Sequence, residues 1–185
     1  TWASGYKMPI YNDNRLLLGN AKHRSLVAEG YKDLLKKHTV DVEVIAGTAT
    51  AGIPHATSLA DLLQVPLIYV RSTAKSHGMG NKIEGILKRN QRVLVIEDLI
   101  STGGSAVNAV TAIREAGGIV NHCFSIFSYG FPEASEKFKG ISCQNDSILD
   151  FAKLLKIAQS TKYISLNDIK TLQSWQKNPF NWKSG

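Results

Sequence analysis

Short apolar runs and amphipathic stretches alternate along most of this chain. Residues 42–46, 67–70 and 92–96 are compact and rich in Val, Ile and Leu, the signature of strands buried on both faces inside a parallel sheet. Residues 119–129 read as a longer strand. Between them the period changes. From 20 to 38, Leu26, Val27, Tyr31, Leu34 and Leu35 form one stripe with lysines opposite, which predicts a helix covering a core. Pro54 suits the first turn of a helix reaching Leu63. Val107, Val110 and Ile113 give helical spacing to 106–116, with Gly117 and Gly118 as a stop. Helices are also predicted over 133–139, 147–158 and 166–176, the last with a capping box from Ser165 and Asp168. Residues 83–87 and 92–96 flank a polar connection at 88–91, which predicts an antiparallel hairpin. The opening 1–15 reads as extended, punctuated by Gly5 and Pro9. The expectation is an α/β fold, a central mostly parallel sheet flanked by helices, in a single domain over residues 1–185.

Three loops in this pattern carry polar chemistry. Glu97 and Asp98 end the 92–96 strand, and Leu99 and Ile100 lead into Ser101, Thr102, Gly103, Gly104 and Ser105. Carboxylates at the carboxyl end of a buried strand lie where open α/β sheets place ligands, and they accept hydrogen bonds from sugar hydroxyls. Small residues leave the backbone N–H groups free to turn toward one anion at the start of a helix. An ordinary βα turn also uses Ser, Thr and Gly for capping. A nucleotide P-loop is excluded because no Lys follows the second Gly, and no complete G-x-G-x-x-G is present. A second small-residue loop, Thr48, Ala49, Thr50, Ala51 and Gly52, follows the 42–46 strand. The third, 71–82, has no apolar period, carries Arg71, Lys75 and His77, and contains Gly78, Gly80 and Asn81. It reads as a mobile cationic lid over a polyphosphate.

The 185 residues, 43% of them hydrophobic, suffice for one full core. The net charge of +7 is compatible with several kinds of polyanion, but its distribution narrows the choice. Between Arg71 and Arg92, six Lys or Arg face one acid, Glu84. That cluster points to a small polyphosphate. The six lysines after Phe151 are spaced as a solvated helix face. Neither nucleic acid nor membrane is expected as a partner: no run is long enough to span a bilayer, and the first residues do not form a signal peptide. A cytoplasmic location follows as an expectation. Cys123 and Cys143 have no ligand spacing and read as free thiols. His55, His122 and Cys123 read as packed residues, His23 and His38 as solvated ones.

The run 92–105 resembles the diphosphoribose-binding signature of the type I phosphoribosyltransferases, which implies that family's fold. The opening around Ser4, Gly5, Pro9 and Tyr11 resembles the hood hairpin of orotate phosphoribosyltransferases, and Arg71, Ala74, Lys75, His77, Gly78 and Gly80 match their catalytic loop. By resemblance, the chain would join orotate to phosphoribosyl diphosphate. Residues 97–105 and 48–50 would bind the ribose, phosphate and diphosphate. Arg71, Lys75, His77 and Asp98 would serve catalysis, and Ser101, Lys7 and Tyr11 would contact orotate. Mg²⁺ would ride on the diphosphate and water without a protein cage. The resemblance also implies a homodimer in which the cationic loop reaches the neighbour's site. The sequence departs from the family pattern in four places. Met8 replaces a Ser, Ser72 a Lys, Thr50 and Ala51 a Tyr-Lys pair, and no Arg stands near Ser128 and Tyr129. The rival readings are a purine phosphoribosyltransferase and an RNA-binding regulator on the same fold.

Overall fold

The computed structural model describes residues 8–73 and 82–182. Of these, residues 14–148 form one compact unit, and residues 8–13 with 149–182 form another. The larger unit carries the sheet. Its strands are β1 (Val44–Thr48), β2 (Leu67–Val70), β3 (Ile83–Glu84), β4 (Arg92–Ile100), β5 (Ile119–Ser128) and β6 (Gln144–Asp150), the last running into the start of the smaller unit. The spatial order is β3-β2-β1-β4-β5-β6. β1 runs parallel to both β2 and β4, β4 runs parallel to β5, and β3 runs antiparallel to its neighbour β2.

Strand alternation divides the core in two. Val44 and Ala46 of β1 and Val93 and Val95 of β4 join a cluster with Ala109, Val110 and Ile113 of α3 (Gly104–Glu115). Ile45, Leu94 and Ile96 point the other way. They pack with Tyr31 and Leu34 of α1 (Ala21–Lys37) and Leu59 of α2 (Gly52–Leu63). Successive strand residues face opposite sides, so a continuous apolar run is what a sheet covered on both faces requires. α2 and α3 are the crossovers that parallel neighbours demand. Their N-termini therefore lie at the same sheet edge as the carboxyl ends of β1 and β4.

Two expectations are corrected. Residues 83–87 do not pair with 92–96: Glu84 and Ile83 pair with Tyr69 and Val70 instead. Both edges of β4 are already taken by β1 and β5, and the two-residue strand pairs along the open side of β2 instead. Gly85, at φ +104°, then turns the chain away. The expected helix over 147–158 begins later. Ser147 belongs to β6 and its hydroxyl pairs with that of Ser125 at 2.7 Å, while Asp150 caps α5 (Phe151–Ser160) by accepting from the Lys153 amide at 2.7 Å. Residues 1–7 of the expected hood hairpin lie outside the described part. Residues 8–13 carry no regular structure, and Asn14–Gly19 form a 3-10 helix.

The other helices follow the sequence pattern. α4 (Pro132–Gly140) and α6 (Leu166–Lys177) start where Pro132 and the Ser165/Asp168 capping box place them. In the smaller unit Trp175 is buried against Phe151, ring centroids 5.6 Å apart. Since the Asp150 carboxylate is the switch from strand to helix, Asp150→Ala is expected to cost about 1 kcal/mol, read as a lower urea midpoint at unchanged m-value.

Candidate active site

β4 extends four residues beyond its expected end, so Glu97 and Asp98 lie within the strand and not after it. Glu97 continues the row of Val93 and Val95 on the α3 side. Its side chain is 5% exposed and holds three donors. Oε1 accepts from the Thr48 hydroxyl at 2.6 Å and from the Asp98 amide at 3.0 Å, and Oε2 accepts from the Ser105 hydroxyl at 2.9 Å. Burial pushes this carboxyl up to about 7, against the opposing pull of the Thr48 and Ser105 hydroxyls, and neighbouring Asp98 raises it further. Asp98 is half-buried. Its backbone is held on both sides: the amide by Glu97, and the carbonyl by Asn14 Nδ2 at 2.8 Å.

The phosphate-type loop is tighter than expected. α3 begins at Gly104, so Gly104 and Ser105 stand in its first turn, where backbone N–H groups have no helical acceptor. Gly103 takes φ +76°, a left-handed conformation that disfavours other residues, and lies close to the Phe138 ring. Ser101 and Thr102 are half-buried between β4 and this turn, Leu99 is half-buried, and Ile100 is 1% exposed in the core. The second loop leaves β1 at Thr48, which is 4% exposed, and the peptide between Ala49 and Thr50 is cis. Gly52 opens α2 in a space no side chain can share. A Cβ there would lie 2.5 Å from Thr48 Oγ1 and 2.6 Å from the Ile96 carbonyl.

These loops meet at a cavity of about 180 Å³ lined by Thr48, Ala49, Arg71, Lys82, Ser105 and Asn108, among others. The two ends of the basic loop are tied together by the Arg71 amide donating to the Lys82 carbonyl at 2.8 Å, which brings both cations to one mouth. Arg71 also pairs with Glu84 at 3.4 Å. Lys75 and His77, together with Lys7, lie outside the described residues. Tyr11, 72% exposed, belongs to the smaller unit, where it lines a cavity of about 450 Å³ with Pro9, Ile10 and residues of α5 and α6.

Several contributors were not identified from sequence. Tyr31 reads as a stripe residue, yet its hydroxyl donates to the buried Glu97 carbonyl at 2.8 Å. Asn14, Lys82 and the steric need for Gly52 also emerge only in three dimensions. His55 is in the core, 1% exposed, with Nε2 lacking a partner among the described residues. Burial lowers its imidazole, opposed by Asp98. His38, expected in solvent, is bound to Asp146 at 2.8 Å. That carboxyl sits at about 2: its hydrogen bonds to Lys37, His38 and the Ser147 amide outweigh burial, the largest single influence, which acts to raise it.

Two outcomes follow. Gly52→Ala must displace Thr48 or the β4 carbonyl, so it should cost about 1–3 kcal/mol in urea unfolding. Glu97 binds its proton more tightly folded, at about 7, than at its ordinary 4.5. The stability this confers is complete below about pH 4.5 and is lost as pH rises through about 7. The stability of the native protein relative to Glu97→Gln should therefore fall across that interval, measured by urea unfolding at each pH.

The phosphoribosyl transferase domain profile matches residues 19–149. The orotate phosphoribosyltransferase of Listeria monocytogenes serotype 4b is 47% identical over 182 residues, spanning 98% of this chain and 87% of that one. Among solved structures, the orotate phosphoribosyltransferase of Aeropyrum pernix superposes with a TM-score of 0.77 at 26% identity, covering 89% of this chain and 90% of its own. That of Mycobacterium tuberculosis, solved in complex with 5-phospho-α-D-ribosyl 1-diphosphate, gives 0.63 at 27% identity over 78% of this chain and 83% of its own. A buried strand carrying two acids, two small-residue loops at one sheet edge and these similarities have one source: the chain belongs to the phosphoribosyltransferase family, among its orotate phosphoribosyltransferases.

Proposed function

We propose that this chain transfers the 5-phosphoribosyl group of phosphoribosyl diphosphate to orotate, giving orotidine 5′-phosphate and diphosphate for UMP synthesis. The observation that carries this is the convergence of Thr48 and Ala49, the first turn of α3 and the Arg71/Lys82 pair on one cavity, with Thr48 and Ser105 both bonded to the Glu97 carboxyl. In the reaction the bond from the anomeric carbon to the diphosphate oxygen breaks as a bond to the orotate ring nitrogen forms. Positive charge grows on the ribose and negative charge on the leaving group, so catalysis rests on positioning and electrostatics.

Each group has a place in that scheme. Amides and hydroxyls of 101–105 at the α3 N-terminus hold the 5-phosphate, the 48–50 backbone holds the diphosphate, and the Glu97 and Asp98 carboxyls accept from the ribose hydroxyls. Arg71, Lys75 and His77 neutralise the leaving group, with His77 a hydrogen-bond donor at neutral pH. Ser101, Lys7 and Tyr11 are assigned to orotate. No three His, Cys, Asp or Glu among the described residues converge as a metal cage. Mg²⁺ would be held through substrate oxygens and water, where it would offset diphosphate charge. Two copies pair so that each lends its basic loop to the other. Leu16 and Leu26, 77% and 71% exposed, offer apolar surface for such pairing. Among the described residues, no helix is long and apolar enough to cross a membrane. The cytoplasm is the proposed location.

Loss of orotate absorbance in the presence of protein, phosphoribosyl diphosphate and Mg²⁺ tests the reading. Omitting any component, or adding EDTA, should abolish the change, and adenine or hypoxanthine should not replace orotate. Lys75→Ala should lower turnover by about 10²–10³-fold. Near-normal turnover in that variant would remove the basic loop from the mechanism.

A further inference from the structure

Lys82 has no role in the scheme above, and the sheet edge fixes where it stands. β3 pairs antiparallel with β2, Ile83 with Val70 and Glu84 with Tyr69, and one further step of that register sets Lys82 across from Arg71. The Arg71 amide donates to the Lys82 carbonyl at 2.8 Å, so the two backbones are joined there. Two cations are thus held at paired positions. Like charges directly across a strand pair repel, a cost that the free protein carries until an anion lies between them. Glu84 offsets one of the two, pairing with Arg71 at 3.4 Å. Lys82 makes no ion pair among the described residues. Both cations line the cavity of about 180 Å³, whose other polar walls are the neutral Thr48, Ser72, Ser105 and Asn108, and no Asp or Glu among the described residues lines it.

We infer that Lys82 anchors the diphosphate of phosphoribosyl diphosphate: in the cavity it shares with Thr48 and Ala49, its ammonium meets the diphosphate oxygens and sets the affinity for that substrate and for the diphosphate product. This rests on the phosphoribosyl transfer proposed above. The side chains of the 48–50 turn are neutral and its backbone N–H groups carry only partial charges, so they orient an anion without neutralising it. Lys82 supplies the full charge that the turn lacks. The diphosphate is already charged before the anomeric bond breaks, so a cation fixed at the strand edge attracts it in the bound substrate nearly as strongly as in the transition state. Binding of that kind lowers KM and leaves kcat almost unchanged. Lys75, assigned to the charge that develops on the leaving group, acts on kcat instead.

Kinetics and calorimetry on the wild type, Lys82→Gln, Lys82→Arg and Lys88→Gln test this, Lys88 being an exposed lysine outside the cavity. Wild-type turnover of orotate establishes the transfer itself; without it the functional reading fails, and diphosphate binding alone decides the role of Lys82. Lys82→Gln should raise KM for phosphoribosyl diphosphate by about 10-fold, the scale of one charge-assisted hydrogen bond at an exposed group, with kcat held within about 3-fold. Lys82→Arg keeps the charge and should stay near wild type. So should Lys88→Gln, which makes the same change in net charge as Lys82→Gln. In the absence of orotate, diphosphate with Mg²⁺ should bind Lys82→Gln about 10-fold more weakly than wild type, while ribose 5-phosphate, which has the 5-phosphate and no diphosphate, binds both equally. Ligand-free Lys82→Gln should unfold at a urea concentration no lower than wild type, because a repulsion has been removed. Unchanged KM and diphosphate affinity in Lys82→Gln overturn the proposal. An equal loss for ribose 5-phosphate, or an equal loss in Lys88→Gln, overturns it too, since overall charge would then be the cause. A lowered urea midpoint does the same by making Lys82 a support of the fold.

Discussion

The active end of this sheet depends on a buried carboxyl surrounded by donors. Removing a carboxylate from water costs several kcal/mol unless hydrogen bonds replace hydration, and Glu97 meets that cost with two hydroxyls and an amide from three different segments. Each donor sits on a separate part of the site: Thr48 at the end of β1, Asp98 on β4, Ser105 on α3. Burial and bonding oppose one another at this carboxyl, and burial prevails, holding it near 7. The segments that supply its donors are the ones that must hold their relative positions for the site to exist.

Two further constraints secure that arrangement. Gly52 brings the start of α2 so close to Thr48 and the Ile96 carbonyl that a single methyl would collide with both. Tyr31 donates to the Glu97 carbonyl from the opposite face, so the strand is held by hydrogen bonds from both layers of helices. The cavity therefore has rigid walls on the β1 and α3 sides. On the β2 side its wall comes from Arg71 and Lys82, whose backbones are bonded to each other at the two ends of the basic loop. Fixed amides on one side and cations at a loop base on the other suit a ligand that must be gripped firmly at its phosphate and released at its diphosphate.

Much of this was legible in the chain, for identifiable reasons. Continuous apolar runs require a sheet covered on both faces, and β1, β2, β4 and β5 followed from them directly. The small-residue loops at 48–52 and 101–105 were recognisable because nothing larger than Thr or Leu interrupts the backbone near an anion. Where the reading failed, competition for space decided the outcome. A polar turn at 88–91 looks like a hairpin, but β4 had no free edge to offer. Residues 147–149 suit the first turn of a helix locally, yet a place beside β5 and a buried Ser125–Ser147 hydroxyl pair draw them into a strand.

Local patterning and residue chemistry, then, determined the element types, the buried strands, the helix stops and which loops face anions, because each depends only on neighbours within a few residues. Tertiary structure alone decided that the Glu97 carboxyl collects the hydroxyls of Thr48 and Ser105, that Tyr31 and Asn14 belong to the site, and that Lys82 joins Arg71 at the cavity mouth. Those outcomes require partners 8 to 84 residues away, and no local period encodes which distant hydroxyl or amide will fill a lone pair on a buried oxygen.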